Sequence, residues 1–293
     1  MRIGIVINPV AGPAFRRVKV ERQVEMARRV CAAEAVDCEI VVTTSRGQGR
    51  SAAADFVREQ CTVIVAWGGD GTVNEVASAV AFHAPAFAIV PSGSGNGLAR
   101  ELGISQRPER ALLTAIHGSE RTIDVGELDG RFFVNLAGVG FDASVAYTFS
   151  QLAGRGLVGY INATFREFLT YRPDTYTVTT ETMTIRRTAL LIELANGRQF
   201  GNGALIAPNA RLDDGRLDLV VVGRYSPLRA LWNARRLFGG TIDQAPDVES
   251  RTAETITISA ARPMRYHIDG EAGHGGQLLK ATVHPHALRI RVP

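Results

Sequence analysis

The stretch "VIVAWGGDGTVNE", residues 63–75, decides the reading of this chain. A continuous apolar run ends in two glycines, an aspartate, a third glycine and a threonine. In an open parallel sheet, ligands bind beyond the carboxyl ends of the strands. Gly68, Gly69 and Gly71 permit close backbone approach at such an end, so successive N–H groups and the start of the next helix offer a cradle for an anion. Thr72 is placed to cap that helix or to bond a phosphate oxygen. Asp70 is the anomaly, because a carboxylate repels phosphate unless a divalent cation, or a water on one, lies between them. Two other uses are open for it: orienting another group, or serving only as part of a tight Gly-Asp-Gly turn.

The same grammar recurs at "AFAIVPSGSGNGLARELG", residues 86–103. A strand ends in Pro91, a glycine-serine loop follows, and then a helix. The two loops come from consecutive strand–helix units, so they are expected side by side on one sheet edge. Ser94 and Asn96 are candidates for phosphate oxygens or ribose, with Arg100 one turn further on. The competing reading is a flexible linker. Neither loop is a Walker A motif, the glycines do not match GxGxxG, and no GxSxG elbow or HExxH is present. The six histidines show no metal-ligand spacing, and His83 and His117 read as helix-end residues.

Outward from these loops, residues 2–122 alternate apolar strands ("RIGIVIN", "CEIVVT", "TVIVAW", "AFAIVP") with helices. That alternation implies a parallel sheet covered on both faces, a doubly wound α/β domain. After about residue 122 the rhythm changes to alternating strands, beginning with "RTIDVGELDGRFF", which reads as a hairpin turning at "LDGR". The expected organisation is an α/β domain over 1–122 and a mostly antiparallel β domain with two helical interruptions over 123–293.

Hydrophobic residues make up 45% of 293, enough for a substantial core. The net charge of +4 is mild, so no nucleic-acid partner is expected, while an anionic membrane surface is tolerated. Of the basic residues only Lys19 and Lys280 are lysines, which leaves arginine for phosphate recognition. Cys31, Cys38 and Cys61 form neither a disulfide framework nor a zinc pattern, so a reducing cytoplasm is expected. No apolar run is long enough to span a bilayer, so any lipid contact is peripheral.

Two further acidic stretches lie in the second half. "IAPNARLDDGRLDLVVV" carries Asp213, Asp214 and Asp218, and "YHIDGEAGHGG" carries Asp269 and Glu271. If the strand persists through Gly270, Asp269 and Glu271 share a face. Converging carboxylates can hold Mg²⁺ or take a proton from an attacking hydroxyl, and the alternative for each stretch is a plain turn with solvated acids.

Taken in order, "NPVAG" (8–12), "GGDGTVNE" (68–75), "PSGSGNGLAR" (91–100), "NLAGVGFDA" (135–143), "APNARLDDGRLDL" (207–219) and "DGE" (269–271) resemble the diacylglycerol kinase catalytic-domain family, which includes bacterial lipid kinases and the sphingosine and ceramide kinases. The resemblance covers almost the whole chain. It implies an α/β nucleotide-binding domain, akin to that of NAD kinases and phosphofructokinases, followed by a β-sandwich domain, with the active site between them. It implies transfer of the γ-phosphate of ATP to a lipid hydroxyl with Mg²⁺. By that match Glu271 is the proton acceptor and Asp70 belongs to an aspartate–water–Mg²⁺ network. The nucleotide contacts Asn8, Thr43, Gly69, Asp70, Gly71, Thr72, Asn74, Glu75 and Ser94. A structural metal takes the Asp214 carboxylate and the Arg211 and Arg216 carbonyls. Gly97 stands where bacterial members often have an acidic residue, and Arg16 and Arg17 stand where many carry lysine. A regulator that binds nucleotide with little catalysis, or a kinase of soluble substrates such as NAD, are the rival readings.

A lipid kinase without a span must reach a bilayer. "GLVGYINATFREFLTYR" puts Leu157, Tyr160, Ile161, Thr164, Phe165, Phe168 and Leu169 on one stripe. "SPLRALWNARRLFGG" mixes Leu228, Leu231, Trp232 and Phe238 with Arg229, Arg235 and Arg236, as an interfacial helix does. The alternative is a helix packed on the sandwich with snorkelling arginines. Surface strands of the second half leave room for a homodimer.

Overall fold

The chain divides into two units, residues 1–123 with 286–293, and residues 124–285. The computed structural model describes residues 1–9, 13–151, 164, 167, 170–223 and 227–293, without the side chains of 13–19, 227, 228, 230 and 231. Residues 10–12 of the first motif, the side chains of Arg16, Arg17 and Lys19, most of the Leu157–Leu169 stripe, and the side chains of Leu228 and Leu231 lie outside the described residues.

The first unit runs β1 (Arg2–Ile7), α1 (Pro13–Ala33), β2 (Asp37–Val42), α2 (Gln48–Arg58), β3 (Val63–Gly68), α3 (Asp70–Val80), β4 (Ala86–Pro91), α4 (Gly97–Glu101) and α5 (Pro108–His117). The strands pair in parallel in the order β2-β1-β3-β4. β1, β3 and β4 are almost wholly buried, as runs covered by helices on both faces must be. Helix α3 begins three residues earlier than its apolar pattern starts, at Asp70, with Gly69 as its N-cap. The glycine loop is therefore the first helical turn itself.

The second unit contains β5 (Ser119–Leu128, entering from the first unit), β6 (Arg131–Phe133), β7 (Leu136–Gly140), α6 (Phe141–Gln151), β8 (Asp174–Thr179), β9 (Thr184–Ala195), β10 (Gln199–Gly201), β11 (Ala204–Leu205) and β12 (Leu217–Gly223). It continues with α7 (Pro227–Gly239), β13 (Val248–Ala253), β14 (Thr255–Ala260), β15 (Arg265–Ile268), β16 (Glu271–His274) and most of β17 (Leu278–Val292). Its pairings are antiparallel, with β16-β15-β7-β9 in lateral order and β9 also meeting β8 and β12. One apolar cluster, with Val139, Ile192, Leu194, Tyr266 and Ile268, fills one face. A second, with Leu136, Leu191, Ala195 and Val220, fills the other.

Two details differ from the sequence expectation. Residues 286–293, assigned to the second domain, return to the first unit, where Ile290 pairs beside Phe87 on β4. The strand does not persist through Gly270: Ile268 pairs directly with Glu271, and Asp269 (φ 46°) and Gly270 (φ 82°) make a two-residue turn with both φ positive. Asp269 and Glu271 are thus turn and strand residues, not neighbours on one strand face. The "LDGR" hairpin is as expected, with Leu128 paired to Arg131 and the same φ signs at Asp129 and Gly130.

Candidate functional site

The two glycine loops touch. Gly68 pairs with Pro91, and the N–H of Ser92 donates to the carbonyl of Gly68 at 2.8 Å. Beyond that, Gly69 lies against Gly93, where a Cβ added to Gly93 would sit 2.6 Å from the Cα of Gly69. A Cβ at Gly93 would therefore force the loops apart, and one at Gly69, 3.1 Å from the Cα of Gly93, would crowd them.

Asp70 bridges the loops. Its carboxylate accepts the N–H of Asn96 at 3.0 Å and the N–H of Gly97 at 2.8 Å, the opening amides of α4. Burial pushes its pKa up, while these two amides and Arg100 pull the other way. So the carboxylate among the glycines has a neighbour that no repulsion argument supplied: the backbone of the next strand–helix unit.

Asn96, expected at phosphate or ribose, is turned inward instead. It is buried at φ 50°, and its Oδ1 accepts from Gly93 N at 2.9 Å. Its Nδ2 donates to Gly93 O at 3.0 Å and Gln106 Oε1 at 2.8 Å. The side chain is a clamp that ties its own loop together and to Gln106 through three part-buried bonds. Glu75, also expected at the nucleotide, likewise accepts backbone amides, from Gly47 at 2.7 Å and Gly49 at 3.0 Å, and so fixes the start of α2. The amides of Ser92, Gly93, Asn96 and Gly97 are all engaged, which moves the anion cradle to the first turn of α3, around Gly71 and Thr72. No side chain caps that turn.

The other expected nucleotide residues lie on the same sheet edge. Asn8 Nδ2 donates to Thr72 Oγ1 at 2.8 Å, which ties the end of β1 to α3. Thr43 is buried at the end of β2, with its hydroxyl 3.4 Å from the carbonyl of Ile7. Asn74 is buried on α3, and Ser94 is exposed at the tip of the second loop. A Cβ on Gly68 would meet Thr72 Oγ1 at 2.4 Å, so this glycine makes room for the threonine.

In the second unit, the turn that carries Glu271 is held by Asp269. Its carboxylate accepts three backbone amides, from Val134, Asn135 and Leu136, each at 3.0 Å. Glu271 begins β16 and is half-buried. The 211–216 loop is held by a residue that motif reading passed over: Asp124, fully buried, accepts Gly215 N at 2.7 Å and donates its own N–H to Leu212 O at 2.6 Å. Asp214 accepts Arg216 N at 3.1 Å. Asp218 is buried, and its pKa is pushed up to about 6 by that burial and then by the Asp214 charge, against Arg216. Two carboxyls crowded so that one resists ionisation are a donor set that a cation would relieve. Arg211 and Arg216 flank Asp214 in this loop.

Comparison with known proteins gives the following likenesses. Residues 2–128 match the diacylglycerol kinase catalytic domain, and residues 135–292 match the YegS C-terminal NAD kinase beta sandwich-like domain. A protein of Enterobacter sp. (strain 638) named probable lipid kinase YegS-like is 31% identical over 252 residues, spanning 82% of this chain and 83% of the relative. One of Salmonella newport (strain SL254) named probable lipid kinase YegS is 30% identical over 267 residues, spanning 89% and 88%. A crystal structure of a diacylglycerol kinase from Bacillus anthracis str. Sterne shares the fold at a TM-score of 0.74 and 20% identity, covering 100% of this chain and 97% of that one. A second structure from that strain reaches 0.82 at 23% identity, covering 100% and 95%.

Proposed function

This chain belongs to the diacylglycerol kinase catalytic-domain family and is a kinase with an alcohol group as acceptor, and on that premise we propose that it transfers the γ-phosphate of ATP to the hydroxyl of a lipid. The observation that supports the reading best is the pair of glycine loops packed Gly69 on Gly93 at the ends of adjacent parallel strands.

The first turn of α3 meets the phosphates with its uncapped amides and the positive end of the helix. Thr72, held by Asn8, and exposed Ser94 are the side chains placed to add hydroxyl donors. Asp70 keeps the two loops in register. Its carboxylate, crowded enough to resist ionisation, fits a cation that accompanies the phosphates. Mg²⁺ there would neutralise phosphate charge. Glu271, presented by the Asp269 turn, accepts the hydroxyl proton while the lipid oxygen bonds to the γ-phosphorus and the bridging P–O bond breaks, releasing ADP. A second, structural cation would rest on Asp214 with the Arg211 and Arg216 carbonyls.

Among the described residues no helix is long and apolar enough to cross a membrane. The face for a lipid surface is α7, where Trp232 and Phe238 are 64% and 65% exposed. Arg235 stacks over Trp232, whereas Arg229 bonds Asp247 and Arg236 bonds the carbonyl of Thr241. Trp232, Phe238 and Arg235 are therefore the residues free to meet anionic headgroups.

The test is transfer of labelled γ-phosphate from ATP into a panel of lipids in mixed micelles, with NAD and sugar phosphates as soluble acceptors. Wild type should label a lipid, and Glu271→Gln should lose that product at least about 1000-fold while still binding ATP. Labelling of soluble acceptors alone refutes the lipid reading, and full activity of Glu271→Gln refutes the proposed base.

A further inference from the structure

We infer that Asp142, Glu193 and His267 form a site for one divalent transition-metal ion of the zinc class, inside the second unit and independent of the kinase reading. The sequence gives no hint of it, since the three residues are far apart and follow no ligand spacing. Sheet register brings them together. His267 on β15 pairs with Gly138 on β7, and Gly138 pairs with Glu193 on β9. Three laterally paired residues share one face of the sheet, and the middle one has no side chain. A Cβ at Gly138 would lie 2.7 Å from Glu193 Oε1, so the glycine leaves the gap through which imidazole and carboxylate meet. His267 Nε2 is 3.1 Å from Glu193 Oε1. Asp142, in the first turn of α6, brings Oδ2 to 2.7 Å from the same nitrogen.

The charges do not balance within the cluster. Glu193 is 0% exposed, His267 4% and Asp142 9%. One imidazole nitrogen faces two carboxylates, and it carries at most one proton to share between them. Glu193 Oε2 and His267 Nδ1 are buried without a hydrogen-bond partner. Two buried acids against one imidazole leave charge uncompensated, or force a carboxyl to stay protonated. A divalent ion bound by neutral imidazole and two carboxylates makes the set neutral.

The donor atoms fit such an ion. All three lie within 4.8 Å of one another. Bonds of about 2.0–2.1 Å in a four-coordinate site place donors roughly 3.3–3.4 Å apart, so from Nε2 the Asp142 oxygen has to draw back by roughly 0.6–0.7 Å and the Glu193 oxygen by roughly 0.2–0.3 Å. Glu193 Oε2, already buried beside the site, completes the shell as the second oxygen of a chelating carboxylate. An imidazole nitrogen with so few oxygens suits Zn²⁺ or its neighbours, whereas Mg²⁺ and Ca²⁺ require six or more oxygen donors. The ion needs Nε2 bare and both carboxylates ionised, so any proton the cluster holds beyond the one on Nδ1 is released on binding. It would pin α6 to β9 and β15, two residues before the Asp269 turn.

The experiment uses the full chain, stripped by chelator and returned to excess Mg²⁺ so that all-oxygen sites are filled. Co²⁺ is then titrated as an optical probe and displaced by Zn²⁺, with proton release measured calorimetrically. One equivalent should bind, with visible bands of a four- or five-coordinate N/O site and an imidazole shell in X-ray absorption. His267→Gln and Glu193→Gln should each weaken it about 100-fold or more. No uptake by the folded wild-type chain overturns the inference, as does uptake unchanged in both variants. Should either variant fail to fold, the wild-type spectrum decides: an imidazole shell supports the site, and an oxygen-only shell overturns it.

Discussion

Replacing Asp269 by asparagine and by alanine separates what its carboxylate does from what its backbone does. The residue sits at φ 46°, a left-handed conformation that Asn shares readily and Ala does not. Its Oδ1 accepts Asn135 and Leu136, its Oδ2 accepts Val134, and all four residues are buried. Asparagine keeps one acceptor oxygen and the turn. It loses the charge on two bonds and points an NH₂ at the amide of Val134, which together costs about 2–3 kcal/mol. Alanine orphans three buried amides at about 1–3 kcal/mol each and adds about 1 kcal/mol of backbone strain. Part of that is offset because a carboxylate no longer has to be desolvated, leaving about 4 kcal/mol. The assay is hydrogen exchange at the amides of residues 134–136, because a global melt would mix the two units. Protection there should fall about 30- to 150-fold in Asp269→Asn and further in Asp269→Ala. Equal losses in the two variants, or protection within threefold of wild type in the asparagine variant, would refute the assignment of three carboxylate bonds. Because Glu271 lies two residues on, phosphoryl transfer should drop in both variants while the affinity for ATP holds.

Gly93→Ala should weaken ATP binding about tenfold or more by calorimetry and Gly69→Ala less, because the added Cβ meets backbone at 2.6 Å in the first case and 3.1 Å in the second; equal affinities in both would contradict the loop packing. Asp218 has a folded-state pKa of about 6, above an unfolded value of about 3.9, so the folded chain binds this proton more tightly. Its stabilisation is full below about pH 4 and lost as pH rises through about 6, worth up to roughly 3 kcal/mol. In chelator, Asp218→Asn should flatten the stability profile between about pH 4 and 6.5, and an unchanged slope would rule the shift out. Trp232→Ala with Arg235→Ala should lower co-sedimentation with anionic vesicles several-fold and leave neutral vesicles unaffected; equal sedimentation of wild type and variant would discard α7 as the docking face.

The architecture was legible because its signals are local. Strands such as "IGIVI" and "AFAIVP" are apolar throughout since both faces are covered, and the glycine loops follow them directly. Local signals also explain one misreading. "LDGR" and "IDGE" form the same two-residue turn, but alternation running through "RYHID" invited a continuous strand in the second. What could not be read is which polar side chain meets which backbone. Asn96 bonds within its own loop, Asp70 reaches 26 and 27 residues ahead, and Glu75 reaches back 28 and 26. His267 meets Asp142 across 125 residues. Such pairings depend on strand order and register, which no spacing encodes.

The acids of this chain follow a common physical rule once their partners are known. Asp70, Glu75, Asp124 and Asp269 each accept backbone amides from a neighbouring loop or turn, three of them with glycine as donor. A carboxylate offers about four lone-pair sites, so one side chain can satisfy several amides that a tight turn leaves without carbonyl partners. The loops are thereby fixed before any phosphate arrives, which favours binding because less ordering remains to be done. The same device has a cost at Asp70. Its charge lies in the first turn of the helix whose positive end would attract phosphate, and burial already resists its ionisation. A phosphate alone would push that carboxyl further toward its neutral form and weaken the bridge to Asn96 and Gly97. A cation arriving with the phosphate would keep Asp70 ionised and the two loops joined, and so would act on the shape of the proposed nucleotide site as well as on the charge of the nucleotide.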